Sequence, residues 1–319
     1  MVSVPTTSVC VPTFSRPHLL RETLESVLAQ TQPDFEVVVG DNGSLGKAVI
    51  EELHDPRLRY LQHDRNLGMA GNWNAILDYA RGEYLGLLMD DDRWHPEFLA
   101  QMTSVLDRDG DGDIGVVFSN HTIDNGRRVT VRRELLQEGT HRDFICEFLR
   151  VRPVAASGAV YRRACWQVAR PLPDTAAADM VLFSRIADAG YAFHYVNAPL
   201  MTYRAHQSAL SGSPEFRDDV VKAWESLQLR NRSARNLRDH LLARALVSRA
   251  SLAIQEDRLD DARADLRRAR ELPGRCCQAW ALACIAGNRP AAMFATKVAR
   301  VRRTFRAVGV RTKQVMDVR

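Results

Sequence analysis

The chain has 319 residues and a formal net charge of +5 at pH 7, and 45% of its residues are hydrophobic. This length and composition allow one large folded domain or two, each with a sizeable core. Basic residues cluster towards the C-terminus and acidic residues gather at 90–92, a distribution that does not indicate a uniform nucleic-acid-binding face.

Cysteine spacing and the N-terminus indicate the cellular compartment. The six cysteines form no C-x-x-C pair and have no histidine at zinc-ligand spacing, which argues against a structural zinc site or a disulfide scaffold. Residues 1–8 lack a basic region followed by an apolar one, and no apolar stretch reaches about 18 residues. We therefore expect a cytoplasmic protein with reduced thiols that is neither secreted through a signal peptide nor membrane-spanning.

The N-terminal part alternates apolar runs with amphipathic stretches. Four apolar runs predict strands, at 8–12, 35–39, 58–62 and 84–89. Three amphipathic stretches predict helices, at 17–30, 47–54 and 68–81. This βαβαβαβ order predicts a parallel, doubly wound sheet of the α/β class.

The remainder of the chain is mixed at first and then helical. Extended segments are predicted at 114–119, 128–131, 154–161 and 192–203. Helices are predicted at 95–106, 144–150 and 179–189. Because the pattern is wholly helical from residue 216, we predict an α/β domain over 1–212 and an α-helical region over 213–319.

Polar clusters follow three of the predicted strands, at 13–16, 41–44 and 90–92. The carboxyl ends of parallel strands share one edge of a sheet, so these clusters are expected to converge on one crevice. The chain contains no G-x-G-x-x-G after the first strand and no G-x-x-x-x-G-K-[ST], which argues against a dinucleotide oxidoreductase and a P-loop NTPase.

Three consecutive aspartates, Asp90 to Asp92, end the apolar run YLGLLM. Adjacent carboxylates repel one another, so a cation is expected beside them, and a metal ion is the first candidate. A solvated acidic turn that caps the next helix is the alternative, since aspartate is a good N-cap and turn residue.

Five motifs in order, over about residues 6–210, resemble the family 2 glycosyltransferases of the GT-A fold. The resemblance is carried mainly by SVCVPTFSRPHLLRETLESVLAQTQPDFEVVVGDNGS and NLGMAGNWNAILDYARGEYLGLLMDDDRWHPEFL. That family transfers a sugar from a nucleoside diphosphate donor to an acceptor hydroxyl, with inversion and usually with Mg²⁺ or Mn²⁺. The resemblance therefore implies a doubly wound, mostly parallel sheet with helices on both faces, followed by an α-helical extension.

The same resemblance implies a donor site. Its residues would be Pro12, Thr13, Phe14, Arg16, Asp41, Asn42, Asn66, Gly68, Asn72, Asp90, Asp91 and Arg204. The family often has a second aspartate where this chain has Asn42. A turn with Gly43 at positive φ is the alternative for 41–44 but leaves Asp41 unexplained, and 66–68 could form only a helix entry.

The implied metal ligands are Asp92, with Asp90 for the metal or the ribose, and His206, from a late segment YRAHQSALS that resembles the family's Arg-x-His-x-x-Ser pattern. A divalent ion stabilises the charge that develops on a diphosphate leaving group, and such hard cations prefer carboxylate oxygens. Asp90 to Asp92 thus resemble the family's D-x-D element. His206 could instead be purely structural.

An inverting displacement needs a base opposite the leaving group, to take the proton of the acceptor. The segment AADMVLFSRIADAG resembles the family's base helix, with Asp179 at the base position and Ala178 where the family has another acid. Asp174, in a loop-like segment, is the alternative base. Asp179 could also act only as an N-cap.

Two further features lie in the C-terminal region. Residues 241–272 resemble one tetratricopeptide repeat, which must pack on the first domain, on neighbouring helices or on another copy of the chain, as in a homo-oligomer. Residues 293–319 predict a basic amphipathic helix, suited to an anionic membrane surface or docked on the protein with its arginines in water. The first choice would place the protein at the inner face of the membrane.

Two other functions remain as alternatives to the glycosyltransferase. A nucleotidyltransferase would need a Gly-rich, Lys-containing loop after the first strand, and PTFSRPHLL has neither feature. A non-catalytic nucleotide-sugar-binding protein is disfavoured by the intact set of Asp90 to Asp92, Asp179 and His206. The sequence specifies neither the sugar, the nucleotide base nor the acceptor.

Overall fold

A computed structural model of the chain describes residues 4–206, 213 and 215–272. The chain divides into two compact units, 1–235 and 236–319. The sequence placed its division between residues 212 and 213, before the helix Phe216–Ser226, which the structure groups with the first unit.

Within its described residues, 4–206, 213 and 215–235, the first unit contains ten strands and most of the described helices. The strands are Thr7–Thr13 (β1), Phe35–Asp41 (β2), Leu58–Gln62 (β3), Tyr84–Leu87 (β4), Arg93–Trp94 (β5), Ile114–Asp124 (β6), Val129–Val131 (β7), Gly139–His141 (β8), Ala159–Arg162 (β9) and Ala192–Arg204 (β10). The helices are Pro17–Leu28 (α1), Gly46–Leu53 (α2), Gly68–Tyr79 (α3), Phe98–Arg108 (α4), Ile145–Val151 (α5), Arg163–Ala169 (α6), Ala178–Asp188 (α7) and Phe216–Ser226 (α8).

The strands form one mixed sheet in the order β3-β2-β1-β4-β9-β6-β10-β5, with β7 paired to β6 and β8 paired to β10. The four strands from β3 to β4 are parallel, as the alternating pattern predicts. Beyond them β9 runs antiparallel to both β4 and β6, while β6 and β10 are again parallel. The α/β class is therefore confirmed, and the sheet becomes mixed in its second half.

Helices against the sheet explain the composition of the central strands. Every residue of β1 and β2 is buried, which is why these strands read as apolar runs without alternation. Pro17 lies at the first position of α1, where a missing backbone N–H costs nothing, and Leu20, Leu24 and Val27 form its buried stripe. Gly40 lets α3 approach the sheet, because a Cβ there would lie 2.2 Å from the Asn72 side chain.

Some short elements differ from the sequence prediction. Of the predicted strand 154–161, residues Ala156–Gly158 form a 3-10 turn and only β9 is extended. Three short elements were not predicted, namely β5, β8 and α6, because runs of two to seven residues show no clear periodicity.

The second unit is described by residues 236–272. Two helices, Arg232–Gln255 (α9) and Leu259–Glu271 (α10), occupy the segment predicted to be a helical hairpin, and α9 begins within the first unit. The Arg249 guanidinium donates to both oxygens of the buried Asp265 carboxylate, at 2.7 and 2.6 Å. The likeness to a tetratricopeptide repeat stays a prediction. The basic tail at 293–319 lies outside the described residues. Among the described helices, none combines the length and apolarity needed to span a membrane.

Candidate functional site

The loops that follow β1, β2 and β4 meet at one edge of the sheet. Asn42, after β2, donates its backbone N–H to the carbonyl of Thr13, the last residue of β1, at 3.0 Å. The Thr13 hydroxyl in turn donates to Asp90 Oδ2, after β4, at 2.6 Å. The predicted convergence of the three polar clusters is thus present in the structure.

Asp90 and Asp91 share one guanidinium. Arg16 donates to Asp90 Oδ1 at 2.5 Å and to Asp91 Oδ2 at 2.7 Å. Asp90 is only 1% exposed, and burial raises the pKa of its carboxyl to about 6, although the charge of Arg16 and the hydroxyl of Thr13 act in the opposite direction. His206 Nε2 lies 3.0 Å from Asp91 Oδ2, so the late histidine reaches the acidic cluster.

Asp92 is a buried carboxyl with a raised pKa. Burial, and after it the charge of Asp91, raise its pKa to about 7. The Arg204 backbone N–H donates to Asp92 Oδ1 at 3.0 Å, and the Thr23 hydroxyl donates to the Asp92 carbonyl at 2.8 Å. The backbone of Asp92 is therefore tied to α1 and its carboxylate to the end of β10.

Arg204 braces the acidic turn from β10. Its Nε donates to the Asp91 carbonyl at 3.1 Å, and its guanidinium forms an ion pair with Glu22 of α1. Arg204, predicted as part of the donor site, thus lies against the backbone of the aspartate cluster.

The donor chemistry of the cluster fits a divalent cation. In residues 4–206, 213 and 215–272, no three His, Cys, Asp or Glu side chains are assembled as a ligand set. Carboxylate oxygens and an imidazole are nevertheless the groups that Mg²⁺ and Mn²⁺ accept. Burial raises the pKa of both Asp90 and Asp92, so positive charge beside them would favour their ionised forms; Arg16 already supplies such charge to Asp90 and Asp91.

The loops after β2 and β3 are joined by Asn42. Its amide donates to the Gly68 carbonyl and accepts the Leu67 N–H, both at 3.0 Å. Asn66 Oδ1 accepts the N–H of Gly68 at 2.8 Å, and Gly68 has φ +73°, a conformation that favours glycine. These contacts place 66–68 beside 41–44, as the predicted site requires.

The turn accounts for Asp41, contrary to the sequence argument. Asp41 Oδ1 accepts the Gly43 N–H at 2.7 Å, and Oδ2 accepts the Gly46 N–H and the Tyr60 hydroxyl, both at 2.8 Å. The residue is completely buried. Its carboxylate therefore shapes the turn and the start of α2, and its place in the donor site stays a prediction.

Three other predicted residues have distinct surroundings. Asn72 is buried, donates to the Gly40 carbonyl at 2.8 Å and lies 3.0 Å from the ring of His63, so its amide holds α3 on the sheet. Pro12 is buried within β1. Phe14, by contrast, is 51% exposed beside the acidic cluster and offers an aromatic face at the surface.

The two candidate bases flank the start of α7 along the chain, Asp174 before the helix and Asp179 in its first turn. Asp179, in the first turn of the helix, is partly exposed; its Oδ1 accepts the Met180 N–H at 2.8 Å, and burial raises the pKa of its carboxyl. Asp174 is exposed, and its Oδ1 lies 3.5 Å from the position a Cβ would take at Gly68. The structure thus brings Asp174 to the donor loops, which its loop-like sequence did not indicate.

Two further residues support the acidic turn and were missed by the sequence analysis. Ser157, in the 3-10 turn, accepts the Met89 N–H at 3.1 Å and also bonds the Asp92 carboxyl. Glu22 pairs with Arg204. Residue 157 lay in an apparently apolar strand and carried no signal, whereas a carboxylate on the first helix could pair with many cations.

Comparisons with known proteins define the family. A sequence profile described as glycosyl transferase family 2 matches residues 8–168, half of the chain. The chain therefore belongs to glycosyl transferase family 2, a family of transferases.

One curated relative is the GalNAc(5)-diNAcBac-PP-undecaprenol beta-1,3-glucosyltransferase of Campylobacter jejuni, which is 33% identical over 145 residues, 44% of this chain and 45% of the relative. The chain spans only 28% to 45% of the length of the first curated relatives that it matches.

Two solved structures share the fold. Staphylococcus aureus TarS 1-349 in complex with UDP-GlcNAc superposes with a TM-score of 0.64 at 19% identity, over 83% of this chain and 81% of the TarS 1-349 chain. The mannosyltransferase PcManGT of Pyrobaculum calidifontis, in complex with GDP-Man and Mn²⁺, gives a TM-score of 0.56 at 18% identity, over 97% and 88% of the two chains. At these identities the likeness establishes the fold alone.

Proposed function

We propose that this chain transfers a sugar from a nucleoside diphosphate sugar to an acceptor hydroxyl, with inversion and with the help of a divalent ion. The observation that carries the proposal is the buried cluster Asp90 to Asp92, joined to Thr13 and Arg16 at the carboxyl ends of parallel strands. The family supports a transferase. The bound ligands of TarS and PcManGT, UDP-GlcNAc and GDP-Man, support a nucleotide-sugar donor.

The donor would lie over the loops that Asn42 joins, with its diphosphate towards the acidic cluster. When bound, Mg²⁺ or Mn²⁺ held by Asp92, with Asp90 and His206, would neutralise charge on the diphosphate leaving group. Arg16 supplies fixed positive charge at the same place, and Arg204 and Thr23 hold the turn that carries Asp92. Phe14 provides an exposed ring on which a nucleotide base can stack.

Asp179 is the proposed base. The acceptor oxygen forms a bond to the anomeric carbon as the bond from that carbon to the diphosphate oxygen breaks, and the acceptor proton passes to the Asp179 carboxylate. Burial raises the pKa of the Asp179 carboxyl, which makes it a stronger base than an exposed aspartate. Asp174, whose carboxylate lies near Gly68, is the alternative base.

Thermal stabilisation by nucleotide sugars tests the proposal. A ligand that binds only the folded state raises the melting temperature by mass action. We expect at least one of a panel of UDP, GDP and dTDP sugars to stabilise the full chain in the presence of Mn²⁺, and less so with EDTA. A panel without any stabilising donor would contradict the donor assignment, and equal shifts with EDTA would contradict the metal.

Membrane contact remains a separate proposal. The curated relative from C. jejuni bears the name of an undecaprenol-linked glucosyltransferase, and the basic segment 293–319 of this chain is suited to an anionic surface. We propose peripheral association of the protein with the inner face of the membrane on those two grounds. Co-sedimentation of the full chain and of a chain ending at Pro290 with anionic vesicles tests it, and equal recovery would reject it.

A further inference from the structure

A shallow cleft lies in the second half of the sheet. Its empty volume, which includes open solvent, is about 220 Å³, and it is lined by Ser119, Asn120, Arg132, Arg133, Leu135, Leu136, Pro153 and Tyr195. Strand β9 lies between β4 and β6. Its Val160 pairs with Gly86 of β4, and the neighbouring Ala159 pairs with Phe118 of β6. Ser119, which follows Phe118, therefore lies level with the end of β4. The cleft is therefore near the sheet edge that carries the acidic cluster.

Two neighbours relate the cleft to the catalytic candidates. Ser119 Oγ lies 3.8 Å from the position a Cβ would take at Gly158, and the preceding Ser157 bonds the Asp92 carboxyl. Pro153 follows Arg152, whose positive charge lowers the pKa of the Asp179 carboxyl. Residues adjacent to the cleft lining therefore interact with both Asp92 and Asp179.

Positive charge in this cleft lacks a counter-ion. Arg132 is half-buried, burial lowers the pKa of its guanidinium, and its Nη1 donates to the Pro153 carbonyl at 2.9 Å. Within the described part of the chain, no carboxylate forms an ion pair with Arg132 or with the exposed Arg133. The neighbouring Glu134 carboxylate instead accepts the Asn197 amide at 2.7 Å. A half-buried cation without a carboxylate counter-ion is unfavourable, so the site of Arg132 is suited to an anion.

We propose that Arg132 and Arg133 bind a phosphate group of the acceptor in this cleft. Guanidinium groups present planar pairs of N–H donors that match phosphate oxygens, and partial burial strengthens such bonds. The cleft is small and open, so it holds the phosphate group and leaves the rest of the acceptor outside. The inference rests on the proposed function only in assigning the phosphate to the acceptor.

Binding of inorganic phosphate tests the site without turnover. Calorimetry is carried out on the full chain in EDTA, with Arg133→Gln as the main variant, because that exposed side chain is not needed for packing, and with Arg132→Gln beside it. Loss of one charge-assisted contact should weaken phosphate binding about tenfold or more. Arg127→Gln, which removes an exposed arginine of the same hairpin outside the cleft, should leave binding unchanged.

The location is decided by Arg16→Gln. If phosphate binding depends on Arg16 and not on Arg133, the ion occupies the donor side and the proposal is overturned. It is also overturned if Arg127→Gln weakens binding as much as Arg133→Gln, because the effect would then be one of net charge, or if none of the variants weakens it.

A soluble monoester, N-acetylglucosamine 1-phosphate, separates an acceptor group from a free ion. Competition with inorganic phosphate that is lost in Arg133→Gln supports the acceptor assignment, since an ester must protrude from the cleft. Failure of the monoester to compete overturns it. If the phosphate site is confirmed but no nucleotide sugar binds the protein, the proposed function fails while the anion site stands.

Discussion

The two halves of the sheet position their site residues at one edge of the sheet in different ways. In the first half, β3, β2, β1 and β4 are all parallel, and residues that follow three of these strands contact one another without distortion of the strands. In the second half, β10 shows register shifts around Pro199, and a 3-10 turn precedes β9. The donor side is therefore set by regular topology, whereas the side proposed for the acceptor depends on local irregularities.

Catalysis should be most sensitive to a residue in the second half. Asp179→Asn keeps the shape of the side chain but removes the base, so turnover should fall by about 10² to 10⁴-fold. Donor affinity, measured by calorimetry, should be retained, because the carboxylate serves the acceptor. The matched variant is Asp174→Asn. If that variant loses turnover and Asp179→Asn does not, the base is Asp174.

Donor binding should be most sensitive to a residue at the end of the first half. Asp92→Asn should remove the increase in donor affinity produced by Mn²⁺ and lower turnover by about 10² to 10³-fold, since a ligand to the charge-neutralising ion is lost. Titrations with a stabilising nucleotide sugar, with and without EDTA, measure the effect. Unchanged metal dependence in the variant would refute the role of Asp92.

The same substitution should stabilise the protein without ligand at alkaline pH. The folded pKa of Asp92, about 7, lies above the usual value near 3.9, so the folded state binds the proton more tightly. The resulting stability is present below about pH 4 and is lost as the pH rises through 7. Asp92→Asn should therefore melt higher than the wild type at pH 8, by an amount equivalent to about 1 kcal/mol or more. Asp111→Asn, at an exposed position, serves as a control. An equal gain in melting temperature in that variant would contradict the explanation from the raised pKa of Asp92.

His121, in the second half, should show the opposite dependence. Burial, together with the charge of Arg132, lowers its pKa to about 4, below the usual value near 6.5. The unfolded chain then binds the proton first, so stability is lost as the pH falls from about 6.5 to 4. The free energy of unfolding, measured with denaturant at both pH values, should fall by about 1 to 3 kcal/mol less in His121→Gln than in the wild type. His18→Gln, at an exposed position, should leave the slope as it is.

The smallest effect is expected at the turn between the first-half loops. Gly68 has φ +73°, and an L-residue pays about 1 kcal/mol for that conformation. Gly68→Ala should lower the free energy of unfolding by about that amount. Gly110→Ala, where an added Cβ meets nothing within 4 Å and φ is not positive, is the control. Equal effects would show that strain at Gly68 is negligible.

Sequence patterns predicted the first half of the sheet well because its strands and helices are visible in short, continuous runs of residues. The apolar runs, the helix at Pro17 and the polar strand ends needed no knowledge of distant contacts. The contact of His206 with Asp91 and the approach of Asp174 to Gly68 were not predicted, since each joins residues far apart in the chain. The role of Ser157 was also hidden, because a serine in an apolar run shows no partner until β9 and the acidic turn are adjacent.

The amide of Asn42 has a consequence for the entropy of ligand binding. Its oxygen accepts from Leu67 and its nitrogen donates to the Gly68 carbonyl, a pair of bonds that an aspartate could not make because a carboxylate has no donor. Two loops that would otherwise move independently are therefore immobilised during folding. A ligand that contacts both loops does not have to order them when it binds, so more of its contact energy appears as affinity.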